Sequence, residues 1–391
     1  MTDRVSPGFS SELAPFGGGT VTRCFNCGNC TAICELSGGE RAFPQRVIRM
    51  IQLGQPQRLL ALAEPWLCHY CGHCSETCPR DAQPGEVMMA VRRWLTSRYD
   101  LTGLSRRLYT SRAWEFGLLG LVALLVVALF TIPSGFGFRL LAQHPEAQVT
   151  VMLQHFAPKA VVHTGDLILA AFLASFLLIN AARMLSLVMA GESVPLGAYV
   201  SRLKEIVVHL LTQKSWRKCE GEARSQWIRH VLLVTGYGTM FVLVIFFLPS
   251  FQVESGGARA ASWHWSSLFG YYGSLVLLGA TSWMMVDRFR KRTPLDRFSH
   301  STDWLFLVLL LLTALTGVAL HIFRLGDWPM ATYVMYVVHL AIAVPMLVVE
   351  VPFGKWAHLA YRPLAQYAEA VKVQAHQLRA RAPLVIAGLE T

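Results

Sequence analysis

Apolar and polar positions divide this chain in two. From about residue 106 onward, six long apolar runs follow one another: about Trp114–Ile132, Val161–Met189, Ile228–Leu248, Leu268–Val286, Trp304–Phe323 and Ala331–Val351. Each is long enough to cross a hydrocarbon core of about 30 Å. Together they predict a polytopic α-helical membrane domain, since a helix pairs its own backbone groups where lipid offers no partner. Before them the pattern is shorter and amphipathic. Val47, Ile48, Met50 and Ile51 recur at helical spacing between Pro44, where a helix can start, and Gly54, where one stops. A second short helix is expected from Pro56 to Ala63, ending at Glu64-Pro65, and a longer one from Gly85 to Arg98 with Val87, Met88, Val91, Trp94 and Leu95 on one side. Residues 1–20 are rich in Gly, Ser and Pro and read as a flexible lead-in. Between the second and third runs, Leu196, Val200, Leu203, Ile206, Val207 and Leu210 alternate with basic positions. That stretch reads either as an interfacial helix on the membrane surface or as an ordinary packed loop helix. Tyr361 to Arg381 reads as a basic amphipathic helix. The expected class is all-α, with boundaries at 1–20, 21–105, 106–360 and 361–391.

Composition agrees with a membrane part beside a water-soluble one: 53% of the 391 residues are hydrophobic and 15% charged, with a mean hydropathy of +0.41. The net charge of +11 does not point to nucleic acid, because the basic residues flank the apolar runs. Arg106, Arg107 and Arg112 precede the first. Arg202, Lys204, Lys214, Arg217, Lys218, Arg224 and Arg229 lie between the second and third. Arg288, Arg290, Lys291, Arg292 and Arg297 lie between the fourth and fifth, and Lys355 and Arg362 follow the sixth. The alternate loops, around 134–160, 250–264 and 324–330, are poorer in Lys and Arg. The positive-inside rule then puts the N-terminal part and both termini on the cytoplasmic side of the inner membrane.

Eight of the nine cysteines fall in two stretches, Cys24-Phe25-Asn26-Cys27-Gly28-Asn29-Cys30-Thr31-Ala32-Ile33-Cys34 and Cys68-His69-Tyr70-Cys71-Gly72-His73-Cys74-Ser75-Glu76-Thr77-Cys78-Pro79. Both read C-x2-C-x2-C-x3-C, the spacing with which a ferredoxin-type chain holds [4Fe–4S] clusters, the fourth cysteine of each run reaching the other cluster. The expected sets are Cys24, Cys27, Cys30 and Cys78 for one, and Cys68, Cys71, Cys74 and Cys34 for the other. Zinc is the competing use of C-x2-C pairs, but it takes two separated pairs rather than three evenly spaced cysteines and a fourth. A disulfide framework would suit a secreted chain; this one opens Met-Thr-Asp-Arg-Val-Ser without the apolar core of a signal peptide. Cys219 stands apart and reads as a spectator thiol.

Histidines within or beside the apolar runs carry the rest of the chemistry, since ionisable groups inside a bilayer are costly. His230 and His358 lie toward the cytoplasmic side, and His163, His321 and His339 toward the outer side. The two levels suggest two haem b groups held by imidazole nitrogens of facing helices, with one of His163 and His321 as the outer ligand and the other as a proton-handling group at a quinone pocket. His339 and His358 are 19 residues apart, about 100° out of register on an ideal helix. A distortion at Pro345 is expected to bring both onto one face. Met240 is a weaker axial candidate. His144, His155, His209, His264 and His300 read as ordinary loop or rim histidines.

The first cysteine motif, the helix Phe43-Pro-Gln-Arg-Val-Ile-Arg-Met-Ile-Gln-Leu-Gly54 and Cys68 to Pro79 resemble the iron–sulfur C subunit of heterodisulfide reductases. The second half, ending in His339 and Pro352-Phe-Gly-Lys-Trp-Ala-His358, is similar to the cytochrome b subunit of those enzymes and to the gamma subunit of respiratory nitrate reductases. Fusion of the two resembles the C subunit of the quinone-interacting membrane-bound oxidoreductase (Qmo) family. That resemblance implies two [4Fe–4S] clusters facing the soluble flavin and iron–sulfur A and B subunits, and haem b connecting them to menaquinone or another quinone. It also implies work with adenylylsulfate (APS) reductase in dissimilatory sulfur metabolism. Two departures stand out: Glu35 follows Cys34 where proline is frequent, and the third run carries only His230 where the nitrate reductase pattern has two histidines. The alternatives are a similar subunit serving a heterodisulfide-type or sulfite reductase, and a zinc-stabilised membrane scaffold without redox chemistry.

Overall fold

The structure, a computed structural model, describes residues 4–38, 41–213, 223–247, 265–292, 294–297 and 300–387. Cys219, His264, Lys214, Arg217 and Lys218 lie outside them. Among the described residues, regular structure is helical apart from an isolated bridge between Gly38 and Arg41.

The cysteine domain is built around the Pro84–Tyr99 helix. Val87, Met88, Val91, Trp94 and Leu95, the side expected to face inward, are all buried. Gln45–Gln52 packs Val47, Ile48 and Ile51 into the same core. Glu64-Pro65 does not merely end a helix: it opens a further short one, Glu64–Leu67, with proline in the first turn. The N-terminal residues correct the expectation of a flexible lead-in. From residue 9 they form short turns, Phe9–Leu13, Ala14–Phe16 and Gly19–Arg23, and Phe9, Leu13 and Phe16 are buried. Their spacing of four and three residues is itself a helical stripe, masked in the sequence by Pro15 and the glycines around it. Phe9 meets Trp94 edge-on at 5.0 Å, and the Trp94 indole donates to Glu12 at 2.9 Å. At Gly54 (φ +66°) a Cβ would lie 2.2 Å from the Ser6 carbonyl oxygen. Glycine is required there for the amide of Ser6 to reach the Gly54 carbonyl at 2.7 Å.

Among the described residues, five helices are long and apolar enough to cross a membrane: Arg112–Thr131, Lys159–Val188, Arg224–Phe247, Ser301–Leu325 and Pro329–Phe353. Between the third and fourth of these runs Trp265–Arg290, a helix diluted in its first half by Ser266, Ser267, Gly270, Tyr271, Tyr272, Gly273 and Ser274. It crosses the third helix closely. A Cβ on Gly236 would come within 2.7 Å of Val276, and one on Gly273 within 3.0 Å of Met240. Small residues of this kind are what let helix backbones approach in lipid. Leu124, Ile168, Leu178 and Leu275 are each about two-thirds exposed or more (68%, 66%, 69% and 73%), an apolar exterior that suits lipid contact.

The chain after Pro345 departs from expectation. Pro345 is followed by one π-type turn, Met346–Glu350, then Val351–Phe353, and the helix stops at Gly354 in extended geometry. A new helix, His358–Ala387, begins after one 3-10 turn. His358 therefore does not share a helix face with His339; the break at Gly354 gives it an independent direction. The new helix packs along Leu196–Thr212 and under the cysteine domain, burying Tyr361, Ala365, Ala368 and Val371 in the same core as Trp94. Leu196, Val200, Leu203 and Val207 keep their apolar side exposed.

The Tyr361 ring closes this junction, 5.0 Å from Trp66 and 5.3 Å from Tyr99. Removing a large buried aromatic costs about 3–5 kcal/mol. Tyr361→Ala should therefore loosen the cysteine domain, and trypsin should release it from membranes at least about tenfold faster than from the unaltered protein.

Candidate metal and cofactor centre

The two cysteine motifs fold as near copies. Asn26 and Tyr70 take left-handed φ values of 60° and 56°, and Gly28 and Gly72 follow, each at φ 85°. Each glycine opens a one-turn helix, Asn29–Ala32 and His73–Glu76, and the two turns pack on each other. In the same register the Asn26 amide donates to Cys24 Sγ at 3.4 Å and the Tyr70 amide to Cys68 Sγ at 3.3 Å. The Ala82 amide donates to Cys78 Sγ at 3.4 Å. Asn29 ties the copies together by donating to the Thr77 carbonyl at 2.7 Å.

Packing the copies together crosses their last cysteines over. Cys30 has Cys24, Cys27 and Cys78 as thiol neighbours, Cys34 has Cys68 and Cys71, and Cys74 has Cys68, Cys71, Cys30 and Cys34. All eight thiols are free. Burial, reinforced by these neighbours, pushes Cys30 and Cys34 up to about 11. Cys68 is pushed up by burial and pulled back by the guanidinium groups of Arg92 and Arg362. Burial therefore keeps these thiols protonated until a metal takes them as thiolates and releases their protons. Two sets of four thiols, with backbone amides aimed at sulfur, fit a pair of [4Fe–4S] clusters.

Behind Cys68 the domain meets the membrane helices. Arg92 donates to the carbonyl oxygens of Pro65 (2.6 Å), Trp66 (3.2 Å) and Cys68, and Arg362 reaches the Cys68 carbonyl at 3.5 Å. One helical turn before Arg362 stands His358, whose ring centroid is 6.0 Å from that of His230. A metal bonded to two imidazole nitrogens at about 2 Å each would hold the ring centres roughly 6 Å apart. His358 Nδ1 donates to the Lys355 carbonyl, leaving Nε2 with its lone pair for a ligand. Burial lowers His358 to about 3, so the ring is neutral at physiological pH. A cavity of 190 Å³ beside the pair is lined by both histidines, Leu233, Tyr237, Phe306 and Trp356. A second, at His209, Gln213 and Gln366, shares His230, Val234, His358, Leu359 and Arg362. Arg92, Arg229, Arg288 and Arg362 bring positive charge to the lining of the first space. The residues present fit a bis-imidazole haem.

The outer histidines are not gathered in the same way. His339 Nδ1 lies 3.0 Å from Thr316 Oγ1. That hydroxyl already donates to the Leu312 carbonyl at 2.7 Å, so the ring donates to it and keeps Nε2 for a ligand. Gly317 makes room, since a Cβ there would sit 3.3 Å from the His339 ring. His321 instead pairs with the Tyr271 hydroxyl at 3.1 Å, and His163 is an electrostatic neighbour of Asp166 one turn on.

Sequence reasoning passed over the ionic pin of this region. Asp303 is buried at the start of the Ser301–Leu325 helix. It accepts from Arg93 of the cysteine domain at 3.1 Å and from Lys355 at 2.7 Å, while Arg288 donates to its carbonyl at 2.9 Å. An aspartate in the first turn of an apolar helix was the signal available; its partners are far apart in sequence.

Likeness to known proteins lies in the cysteine region. Residues 23–83 match the 4Fe-4S dicluster domain. The chain is 36% identical over 94 residues to a heterodisulfide reductase C-subunit-like protein of Archaeoglobus profundus, covering 24% of this chain and 50% of that one. It is 32% identical over 85 residues to the C subunit of the H(2):CoB-CoM heterodisulfide,ferredoxin reductase of Methanothermobacter thermautotrophicus (22% and 45%). It is also 32% identical over 93 residues to the iron-sulfur C subunit of the CoB–CoM heterodisulfide reductase of Methanopyrus kandleri (24% and 46%). The chain thus spans about half the length of the curated relatives it matches, and no solved structure matches it. Its cysteine region is thus a 4Fe-4S dicluster domain related to the C subunit of heterodisulfide reductases.

If the crossed sets hold the clusters, Cys78→Ser should diminish the paramagnetic resonance signal of the cluster built on the first motif and spare the other; selective loss of the second would refute the assignment. Asp303→Asn leaves the buried Arg93 without its counter-charge and deprives the half-buried Lys355 of its partner, a change that costs up to about 3–5 kcal/mol. Its expected readout is a lower unfolding temperature for the cysteine domain, with Asp303→Glu partly restoring it.

Proposed function

We propose that this protein is the membrane electron-transfer subunit of a quinone-linked oxidoreductase of the Qmo type. Its cysteine domain holds two [4Fe–4S] clusters, on Cys24, Cys27, Cys30 and Cys78 and on Cys68, Cys71, Cys74 and Cys34. His230 and His358 hold an inner haem b, and His339 is an outer ligand, with His163 or His321 as its partner or as a proton-handling group near the quinone. When bound, these groups supply one-electron redox chemistry. The chain's own part is to keep the carriers close, dry and oriented. In this reading Trp265–Arg290 is a sixth crossing, and the cysteine domain and both termini lie on the cytoplasmic side of the inner membrane, as the positive-inside rule suggests. The soluble partners are the flavin and iron–sulfur A and B subunits, working with APS reductase, and the membrane partner is menaquinone or a similar quinone.

One observation carries this reading: the imidazole pair lies one helical turn from Arg362, which touches the Cys68 carbonyl. A haem at the first position would be next to a cluster at the second. A second reading follows from the names of the curated relatives, that the soluble partner is a heterodisulfide-type reductase.

Purified protein should show Soret and α bands over a broad absorbance near about 400 nm, and the haem should oxidise on adding a quinone analogue to dithionite-reduced protein. His358→Ala should remove the inner haem's bands and spare the cluster signals. A colourless zinc-containing protein would leave only the scaffold reading. Partners co-purified from native membranes decide between the two redox readings: the A and B subunits with APS reductase for the first, a thiol–disulfide reductase for the second.

A further inference from the structure

The end of the bundle away from the cysteines carries a second group of ligating side chains. The segment between the first two membrane helices forms short turns at Phe138–Leu141, Glu146–Val149 and Leu153–His155. These bring His144, Glu146 and His155 together, with one ligand atom from each within 4.8 Å of the others. The two imidazole rings lie 4.0 Å apart between centroids, and His144 Nδ1 is 2.9 Å from Glu146 Oε1. Two neutral imidazoles and a carboxylate are the donor set of a zinc site that keeps a fourth position for water.

The segment is firmly held. The Tyr333 hydroxyl donates to the Ala147 carbonyl at 2.9 Å and accepts from the Met152 amide at 2.9 Å. Phe156 stacks on the Tyr333 ring at 4.7 Å, and Asp327 accepts from the Val151 amide at 2.7 Å. Ala147 and Phe156, each beside a ligand, are fully buried. The backbone on which the three side chains stand is thereby fixed, while the side chains themselves remain partly open to solvent. A tetrahedral zinc with bonds of about 2.0–2.1 Å needs its ligands roughly 3.4 Å apart.

We propose that His144, Glu146 and His155 bind a divalent metal ion of the zinc class at this end of the protein, independently of the cysteines. The ion would replace the hydrogen bond between His144 and Glu146 and join the two ends of the 144–155 loop.

The test uses the full-length protein with its own cofactors, purified without a histidine tag and equilibrated with zinc chloride. Bound zinc is counted by mass spectrometry and its ligands read from the zinc X-ray absorption edge. Wild-type protein should hold about one equivalent more than the His144→Ala/His155→Ala variant, in a nitrogen and oxygen environment containing two imidazoles. Glu146→Gln, which leaves the imidazoles in place, should weaken binding at least roughly tenfold. Equal zinc uptake by wild type and the double variant, or an edge dominated by sulfur, would overturn the proposal. Unchanged cysteine-domain resonance signals show the double variant to be folded; if it is not, His155→Ala alone gives the same comparison.

Discussion

A buried carboxylate holds the two halves of this protein in register. Asp303 sits where water is scarce, so its charge is tolerable only beside opposite charges with good geometry. Arg93 arrives from the cysteine domain, Lys355 from the turn after the last membrane helix, and Arg288 from the end of the Trp265–Arg290 helix. Three elements distant in sequence are tied to one residue, Arg93 and Lys355 through separate carboxylate oxygens and Arg288 through the backbone carbonyl. Arg93 also donates to the Phe16 carbonyl at 2.8 Å, which carries the same constraint into the N-terminal turns.

The break after the last membrane helix turns this register into a site. Glu350 is buried and accepts from the Lys355 amide at 3.2 Å. A Cβ on Gly354 would lie 2.1 Å from that carboxylate, so the sharp change of direction depends on glycine. The following helix then presents His358, Tyr361, Arg362 and Ala365 on one face, at offsets of three, four and seven residues. His358 turns to His230, Tyr361 fills the gap between Trp66 and Tyr99, and Arg362 reaches Cys68. One helical stretch thereby packs the cysteine domain onto the membrane helices and sets the candidate haem ligand beside the candidate cluster.

Local pattern was enough for several features. The twin C-x2-C-x2-C-x3-C runs announced their chemistry because cluster ligation imposes a short-range spacing. The apolar runs announced membrane crossing because lipid demands length and composition, both local properties; Trp265–Arg290, with its serines, glycines and tyrosines, is where that signal thins. The inward sides of Gln45–Gln52 and Pro84–Tyr99 followed helical periodicity. Phe9, Leu13 and Phe16 obeyed the same periodicity, but Pro15 and the surrounding glycines hid it.

What tertiary structure alone decided are the meetings between distant residues. Periodicity cannot place Arg93 on Asp303, or tell that the helix carrying His339 stops at Gly354 and that His358 starts another. Nor does it show that His358 faces His230 while His339 leans on Thr316 and His321 on Tyr271. By itself the sequence determined which ligands the chain possesses and where most of its long helices run, since both are written in spacing along the backbone. Which ligands stand together was decided by packing, because burying charge and apolar surface is a property of the whole assembly.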